Sequence, residues 1–358
     1  MIYYLLAGMF LSFAIIPRQH FRLAATALTV VAICVFGGLR FGVGTDWSSY
    51  EQVFELVGRG DSFSEFREET GFLLLTLAFN FISNNYSVFI FGLFVISYSI
   101  KLYAVVKFKA DIIVSTIIYF VTIFLIYDVN GLRQGLAMGF VLCAGYFAVQ
   151  QRLFLYLIAI SLAVSVHMVA LVALPIYWMT NSTWLTRRPL AAQYFVTAVL
   201  IALGLAISKV IGGTDAAVYL EIFNLATRYT HYIDNFQKEF SILGLGSMQR
   251  LFIIGMILYM RETFDCTDRT KALLINCYVM STFLFFVLSF NLEFMARVSF
   301  YYKAFEIITL SIVFKSLKRP LPRIAFWLFL FLLTFGAIYQ LLSAPDGGLL
   351  PYKSVLLR

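Results

Sequence analysis

The sequence predicts an all-α polytopic membrane protein, and three observations carry that prediction. Of 358 residues, 61% are hydrophobic and 13% are charged, against roughly 45–50% and 25% in soluble domains. Mean hydropathy is +0.87. The apolar residues gather in runs near the roughly 20 residues a helix needs to cross a bilayer. Together these exclude a soluble enzyme, a disordered tail and a nucleic-acid binder, despite a formal net charge of +8. The charge has to be read by position.

The clear runs are 1–16, 23–39, 86–106, 111–127, 132–149, 191–211, 248–261, 272–292, 297–314 and 324–343. Met1 to Ile16 has no basic residue ahead of its apolar stretch, unlike a cleaved signal, and reads as a first retained span. Two segments are ambiguous by length. Residues 71–84 are barely long enough to cross, and 153–178 are long enough to break near His167 or Pro175. About 11–13 membrane helices, re-entrant segments included, are expected within one integral membrane domain over 1–358.

Charge sets the orientation. Arg18 and Arg22 place the first short loop in the cytoplasm, so 40–70 faces outward. That loop carries Asp46, Glu51, Glu55, Asp61, Glu65, Glu68 and Glu69 against Arg40, Arg59 and Arg67. If 71–84 dips in and returns, and 153–180 makes two legs meeting near His167, then Lys107, Lys109, Arg152, Arg187 and Arg188 also fall inside. This topology is preferred. It leaves two larger periplasmic loops, 40–70 and 212–247. Within the second, apolar positions at helical spacing over 215–240 read as a helix lying on the outer membrane face.

The four cysteines form no disulfide framework: Cys34, Cys143 and Cys277 sit in apolar runs and Cys266 in a short charged loop. No C-x-x-C occurs, and His20, His167 and His231 are far apart. A zinc or iron–sulfur site is not expected, and no metal or cofactor is assigned.

On this topology the unusual polar residues share the outer side, each with a structural alternative. Gly42 and Gly44 before Thr45-Asp46 suit a turn and a helix N-cap as well as a site. Arg40 and Arg133 suit snorkelling at helix ends. Asn130 is placed to cap a helix opening at Gly131, which puts Arg133 and Gln134 in a first turn where a cation opposes the helix dipole. His167 reads equally as a satisfied buried histidine or a catalytic one. In the penultimate span Lys303 and Glu306 lie at membrane depth, three residues apart. They read either as an ion pair on one helix face or as the wall of a wet cavity that Arg297 and Tyr301 also line.

The order Arg-Phe-Gly-x-Gly-Thr-Asp-Trp-x-x-Tyr (40–50), Glu-Thr-Gly-Phe (69–72), Leu-Arg-Gln-Gly-Leu-Ala (132–137), His-Met-Val-Ala-Leu (167–171) and Arg-Val-Ser-Phe-Tyr-Tyr (297–302) resembles the EpsG family. Its members are Wzy-type polymerases of bacterial polysaccharides such as O-antigen and exopolysaccharide. The resemblance runs over about the whole chain. It implies a GT-C-like glycosyltransferase of the bacterial inner membrane, with its active site facing the periplasm. The activity implied is polymerisation of undecaprenyl-diphosphate-linked oligosaccharide repeat units, each glycan moving from its lipid diphosphate to an acceptor hydroxyl.

That chemistry assigns roles to residue types. A diphosphate leaving group suits guanidinium forks, so Arg133 and Arg297 come first as substrate-binding residues, then Arg40 and Arg228, with Gln134, Tyr229 and Tyr301 beside them. The acceptor hydroxyl needs a general base, with Asp46, Glu69 and His167 in that order. No Asp-x-Asp occurs in the outer loops, so metal-independent transfer is expected. Expected partners are the lipid-linked oligosaccharide, the bilayer, a chain-length regulator and a flippase, with no nucleic acid. The alternatives are a flippase or exporter of the same lipid-linked oligosaccharide, and another lipid-linked sugar transferase such as a ligase. No internal repeat of the transporter kind relates the two halves, and an O-acetyltransferase would want cytoplasmic access to an acyl donor.

Overall fold

The structure, a computed structural model, describes residues 1–15, 19–213, 241, 244–343 and 348–357. Among these the regular elements are helical, with one isolated bridge between Arg40 and Ser354. They are α1 (Ile2–Ile15), α2 (Gln19–Gly38), α3 (Trp47–Arg59), α4 (Thr70–Ile82), α5 (Tyr86–Lys107), α6 (Ile112–Tyr119), α7 (Leu132–Val149), α8 (Leu153–Val166), α9 (Ile176–Met179), α10 (Leu190–Gly213), α11 (Leu245–Met260), α12 (Asp268–Val287), α13 (Leu292–Lys303), α14 (Glu306–Ser316) and α15 (Pro320–Leu342). Among the described residues, six segments are long and apolar enough to cross a membrane: Phe21–Gly38, Tyr86–Lys107, Leu132–Val149, Leu190–Ile211, Asp268–Val287 and Pro320–Leu342. This is a polytopic helical membrane protein. Residues 215–240, where a surface helix is expected, lie outside the described residues. The chain forms two compact units, one of Met1–Leu174 with Glu306–Arg358 and one of Pro175–Phe305.

Local signals start and stop these helices. Asn85 and Asp111 cap α5 and α6 by accepting the Ser87 and Val114 N–H groups, and Pro320 opens α15, where its missing N–H costs nothing. α6 runs on as a π-helix over Phe120–Asp128, a form mostly seen as single turns at functional sites.

The segment 40–70 is more than a loop. Trp47, Tyr50, Phe54 and Val57 recur at helical spacing and are buried along one side of α3, while Glu51 and Glu55 are not. Trp47, Tyr50 and Phe54 pack in one cluster with Phe72 of α4, Tyr86, Phe89, Ile90 and Leu93 of α5, and Leu132 and Leu136 of α7. Burying large side chains of this kind contributes roughly 1.5–3 kcal/mol each. Gly60, with φ of 92°, ends the helix in the left-handed conformation.

Of the two ambiguous segments, the first forms one short helix and the second turns back at His167. α4 is 13 residues, about 20 Å long, and so shorter than the roughly 30 Å of hydrocarbon. It starts beside α7, and near its end Asn80 donates to the Phe54 carbonyl at 3.1 Å. α5 then starts beside α3, the Tyr86 hydroxyl donating to the Trp47 carbonyl at 3.2 Å. α8 stops at His167, and residues 168–174 run back alongside it. There the Tyr156 hydroxyl donates to the Leu174 carbonyl at 2.6 Å.

Charges sort to opposite ends of this unit. At one end Arg22 pairs with Asp111, Ser311 bonds the Asp111 backbone, and Lys315 donates to the Lys109 carbonyl. At the other, 348–357 fold over the 39–45 segment: Phe41 N–H donates to the Lys353 carbonyl and Val355 N–H to that of Leu39.

The expected single span over 297–314 is interrupted. α13 ends at Lys303 and α14 begins at Glu306, so these two residues do not share one helix face as an i, i+3 pair. Lys303 stacks on the Phe300 ring at 4.8 Å. Glu306 is fully buried, and its carboxylate oxygens have no hydrogen-bond partner among the described residues.

Candidate functional site

The acidic end of the first unit brings together residues from four parts of the chain. Arg133 is the second residue of α7. Its guanidinium donates to Glu69 Oε2 at 2.5 Å, lies 3.8 Å from Glu68 and reaches the Tyr50 hydroxyl at 3.5 Å. Glu69 holds the N-cap position of α4 without capping it. Its other oxygen accepts the Met168 N–H at 3.0 Å, which docks the helix break after α8 onto the same carboxylate. Arg133 keeps 21% of its side chain exposed, so a guanidinium held by two acids is still partly accessible.

Electrostatics fix the state of Glu69. Burial disfavours its charge, but Arg133, the Met168 N–H and His167 together outweigh burial and hold its carboxyl below the usual carboxylate range. His167 is 6% exposed and sits at the end of α8, within electrostatic reach of Glu69. Burial pushes the Tyr50 hydroxyl up, against the pull of Arg133, so it stays a neutral donor or acceptor beside that guanidinium.

Asp46 is at the N-cap position of α3, one turn before Tyr50, and its side chain makes no capping bond. It accepts from the Thr45 hydroxyl at 3.1 Å and is half-buried. The turn before it is tightly held. Gly44 has φ of 116° and a Cβ there would lie 2.6 Å from the Val129 carbonyl, so only glycine fits. Thr45 N–H donates to Asn130 Oδ1 at 2.9 Å. The expected Asn130 cap is therefore not formed: Gly131 holds the N-cap position of α7, and the asparagine side chain is engaged by the Gly-Thr-Asp turn.

Arg40 sits apart from Arg133. It is 1% exposed, and its guanidinium donates to the Gly37 and Asp128 carbonyls at 2.6 and 2.9 Å. It ties the end of α2 to the turn before α7. Gln134, next to Arg133 in α7, is buried. Arg297 and Tyr301 lie on α13 in the second unit, Tyr301 fully buried. Arg228 and Tyr229 lie outside the described residues.

One cluster was missed in the sequence. Lys101, in the apolar run of α5, is 1% exposed and donates to Asp128 Oδ1 at 3.0 Å. Ser97 donates to the same oxygen at 2.8 Å and the Tyr119 hydroxyl to the other at 2.6 Å. An added Cβ at Gly135 would run into Asp128. Asp128 is thus satisfied at both oxygens and at its carbonyl, which pins the turn that carries Asn130 and Arg133. A charge at membrane depth costs about 2.5–3.5 kcal/mol on insertion scales, so a lysine inside a run such as 86–106 was itself the signal.

The Gly-Thr-Asp, Glu-x-Gly and Arg-Gln residues all lie in the first unit. The EpsG family profile matches residues 24–354, and that span includes all of them. The chain belongs to the EpsG family. Members of this family are Wzy-type polysaccharide polymerase-like, so a role of the polysaccharide-polymerase type and a glycosyltransferase-like activity follow. No curated protein and no solved structure matches the chain significantly. In this EpsG-family chain the Gly-Thr-Asp turn, the Glu-x-Gly helix start and the Arg-Gln helix start converge through Asn130, Tyr50 and Arg133. The Arg-Val-Ser segment belongs to the other unit.

Proposed function

We propose that the chain extends a bacterial polysaccharide by glycosyl transfer between undecaprenyl-diphosphate-linked repeat units at the periplasmic face of the inner membrane. The Arg133–Glu69 pair, with its partly exposed guanidinium, carries this reading. A diphosphate competes with Glu68 and Glu69 for Arg133, and the guanidinium then stabilises charge as it develops on the leaving oxygen. The acceptor hydroxyl attacks the anomeric carbon, the bond from that carbon to the diphosphate oxygen breaks, and the hydroxyl proton passes to a carboxylate. Asp46 is the preferred base. It has no cationic partner among the described residues, whereas both oxygens of Glu69 are engaged. Glu69 and His167 then act on Arg133 and on the helix break rather than on the hydroxyl. Arg297 and Tyr301 remain substrate-binding candidates on chemical grounds.

The periplasmic orientation rests on the positive-inside rule. The absence of Asp-x-Asp in 40–70 and 212–247 supports transfer without a metal, and purified protein is expected to keep its activity in chelator. Activity lost in chelator and restored by magnesium or manganese removes that part.

Cells lacking the protein are expected to display single repeat units on the outer-face lipid carrier and no long polymer. Repeat units retained on the cytoplasmic leaflet favour the flippase instead. Asp46→Asn should lower extension by about 10²–10⁴-fold, the usual contribution of a general base, with membrane insertion unchanged. Wild-type polymer from Asp46→Asn removes Asp46 as base.

A further inference from the structure

We propose that the basic end of the first unit holds a binding site for one anionic glycerophospholipid of the adjoining leaflet. α1, α14 and α15 leave a groove of about 320 Å³ there, within the roughly 300–1,000 Å³ of small-molecule sites. Ala14, Ile15, Phe314, Ile324 and Trp327 make it apolar, and Arg323 lines it too. The Trp327 indole N–H donates to the Leu11 carbonyl at 3.3 Å, which fixes one wall. The Arg323 guanidinium lies 5.0 Å from the centre of the Phe314 ring, so the cation is held against the groove.

The local charge is unbalanced. Among the described residues Arg323 has no carboxylate partner. Arg22 is within electrostatic reach of Arg323, and the nearby acid, Asp111, is already paired with Arg22. Lys315 donates to the Lys109 carbonyl, which adds charge without neutralising any. An occupant therefore has to bring an anion to Arg323 and an apolar chain to the groove. A phosphate fits a planar guanidinium fork, and an acyl chain fits the walls. A zwitterionic headgroup brings its own cation toward Arg323, so the site selects net negative lipid. The groove lies at the opposite end of the unit from Arg133 and Glu69, and this inference stands independently of the polymerase reading.

The test uses the full chain purified in neutral detergent, with phosphatidylglycerol or phosphatidylcholine added, read by native mass spectrometry and by the thermal midpoint. One phosphatidylglycerol is expected to be retained in preference to phosphatidylcholine, with a rise in midpoint. Arg323→Ala should weaken retention about five- to tenfold, the scale of one lost cation near a lipid surface, while Arg323→Lys keeps most of it. Ile324→Trp, which fills the groove and leaves the charge, should also weaken retention, and monodisperse Arg323→Lys protein guards against misfolding as the cause. Equal retention of the two lipids, unchanged retention in both Arg323→Ala and Ile324→Trp, or full competition by inorganic phosphate alone overturns the proposal. Loss of lipid retention leaves polymer synthesis by the same chain as a separate measurement.

Discussion

Arg133 is a bidentate-capable group held by two acids and a phenol, and its behaviour under substitution follows from that geometry. Lysine offers a point charge in place of a planar fork, so Arg133→Lys is expected to recover little of the polymer length lost in Arg133→Ala, as read on a polysaccharide gel. Recovery to wild-type length would mean that charge alone suffices. Glu69 gives a pH signature. Its carboxyl is held below the ordinary value of 4.5, so its contribution to stability is fully present above that value and is lost as pH falls through the lower folded value. Glu69→Gln should therefore lower the thermal midpoint relative to wild type at neutral pH, and the gap should close in acid below about 4.5. A gap that is independent of pH would remove the ion pair as its cause.

At the scale of elements, the turn between the π-helix and α7 is held from three sides: Lys101 of α5, Tyr119 of α6 and Arg40 after α2 all bond Asp128. Breaking a buried pair by removing one partner is costlier than removing both, because the remaining charge is left without compensation. Lys101→Met is expected to cost about 3–5 kcal/mol, and adding Asp128→Asn should restore part of that. Unfolding in a mild detergent measures both. If the double variant is less stable than the single by the full cost of Asp128→Asn alone, the two residues are not coupled.

For the first unit as a whole, the distribution of charge is the measurable property. Lys109, Asp111 and Lys315 come together at one end, and Asp46, Glu68, Glu69 and Arg133 at the other. Cysteines introduced as Asp61→Cys and Lys318→Cys should react with a membrane-impermeant thiol reagent from opposite sides, Asp61→Cys from outside intact cells. Labelling of both from one side would overturn the orientation on which the periplasmic site rests.

The helical membrane class, the ends of most spans and the family were legible from composition and local patterns, since a bilayer leaves a backbone few choices and the motifs run along the chain. The break near His167 was also inferred, from the length of 153–178 and the sign of flanking charges. Tertiary structure decided what each polar side chain touches. Arg40 and Arg133 look alike as arginines at helix ends, yet one is buried on two carbonyls and the other is held, partly exposed, by two acids. Lys101 meets Asp128 across 27 residues and Glu69 meets Met168 across 99. No local periodicity encodes such pairings, because they arise when separate helices pack and bring distant polar groups within hydrogen-bond reach where no water can satisfy them.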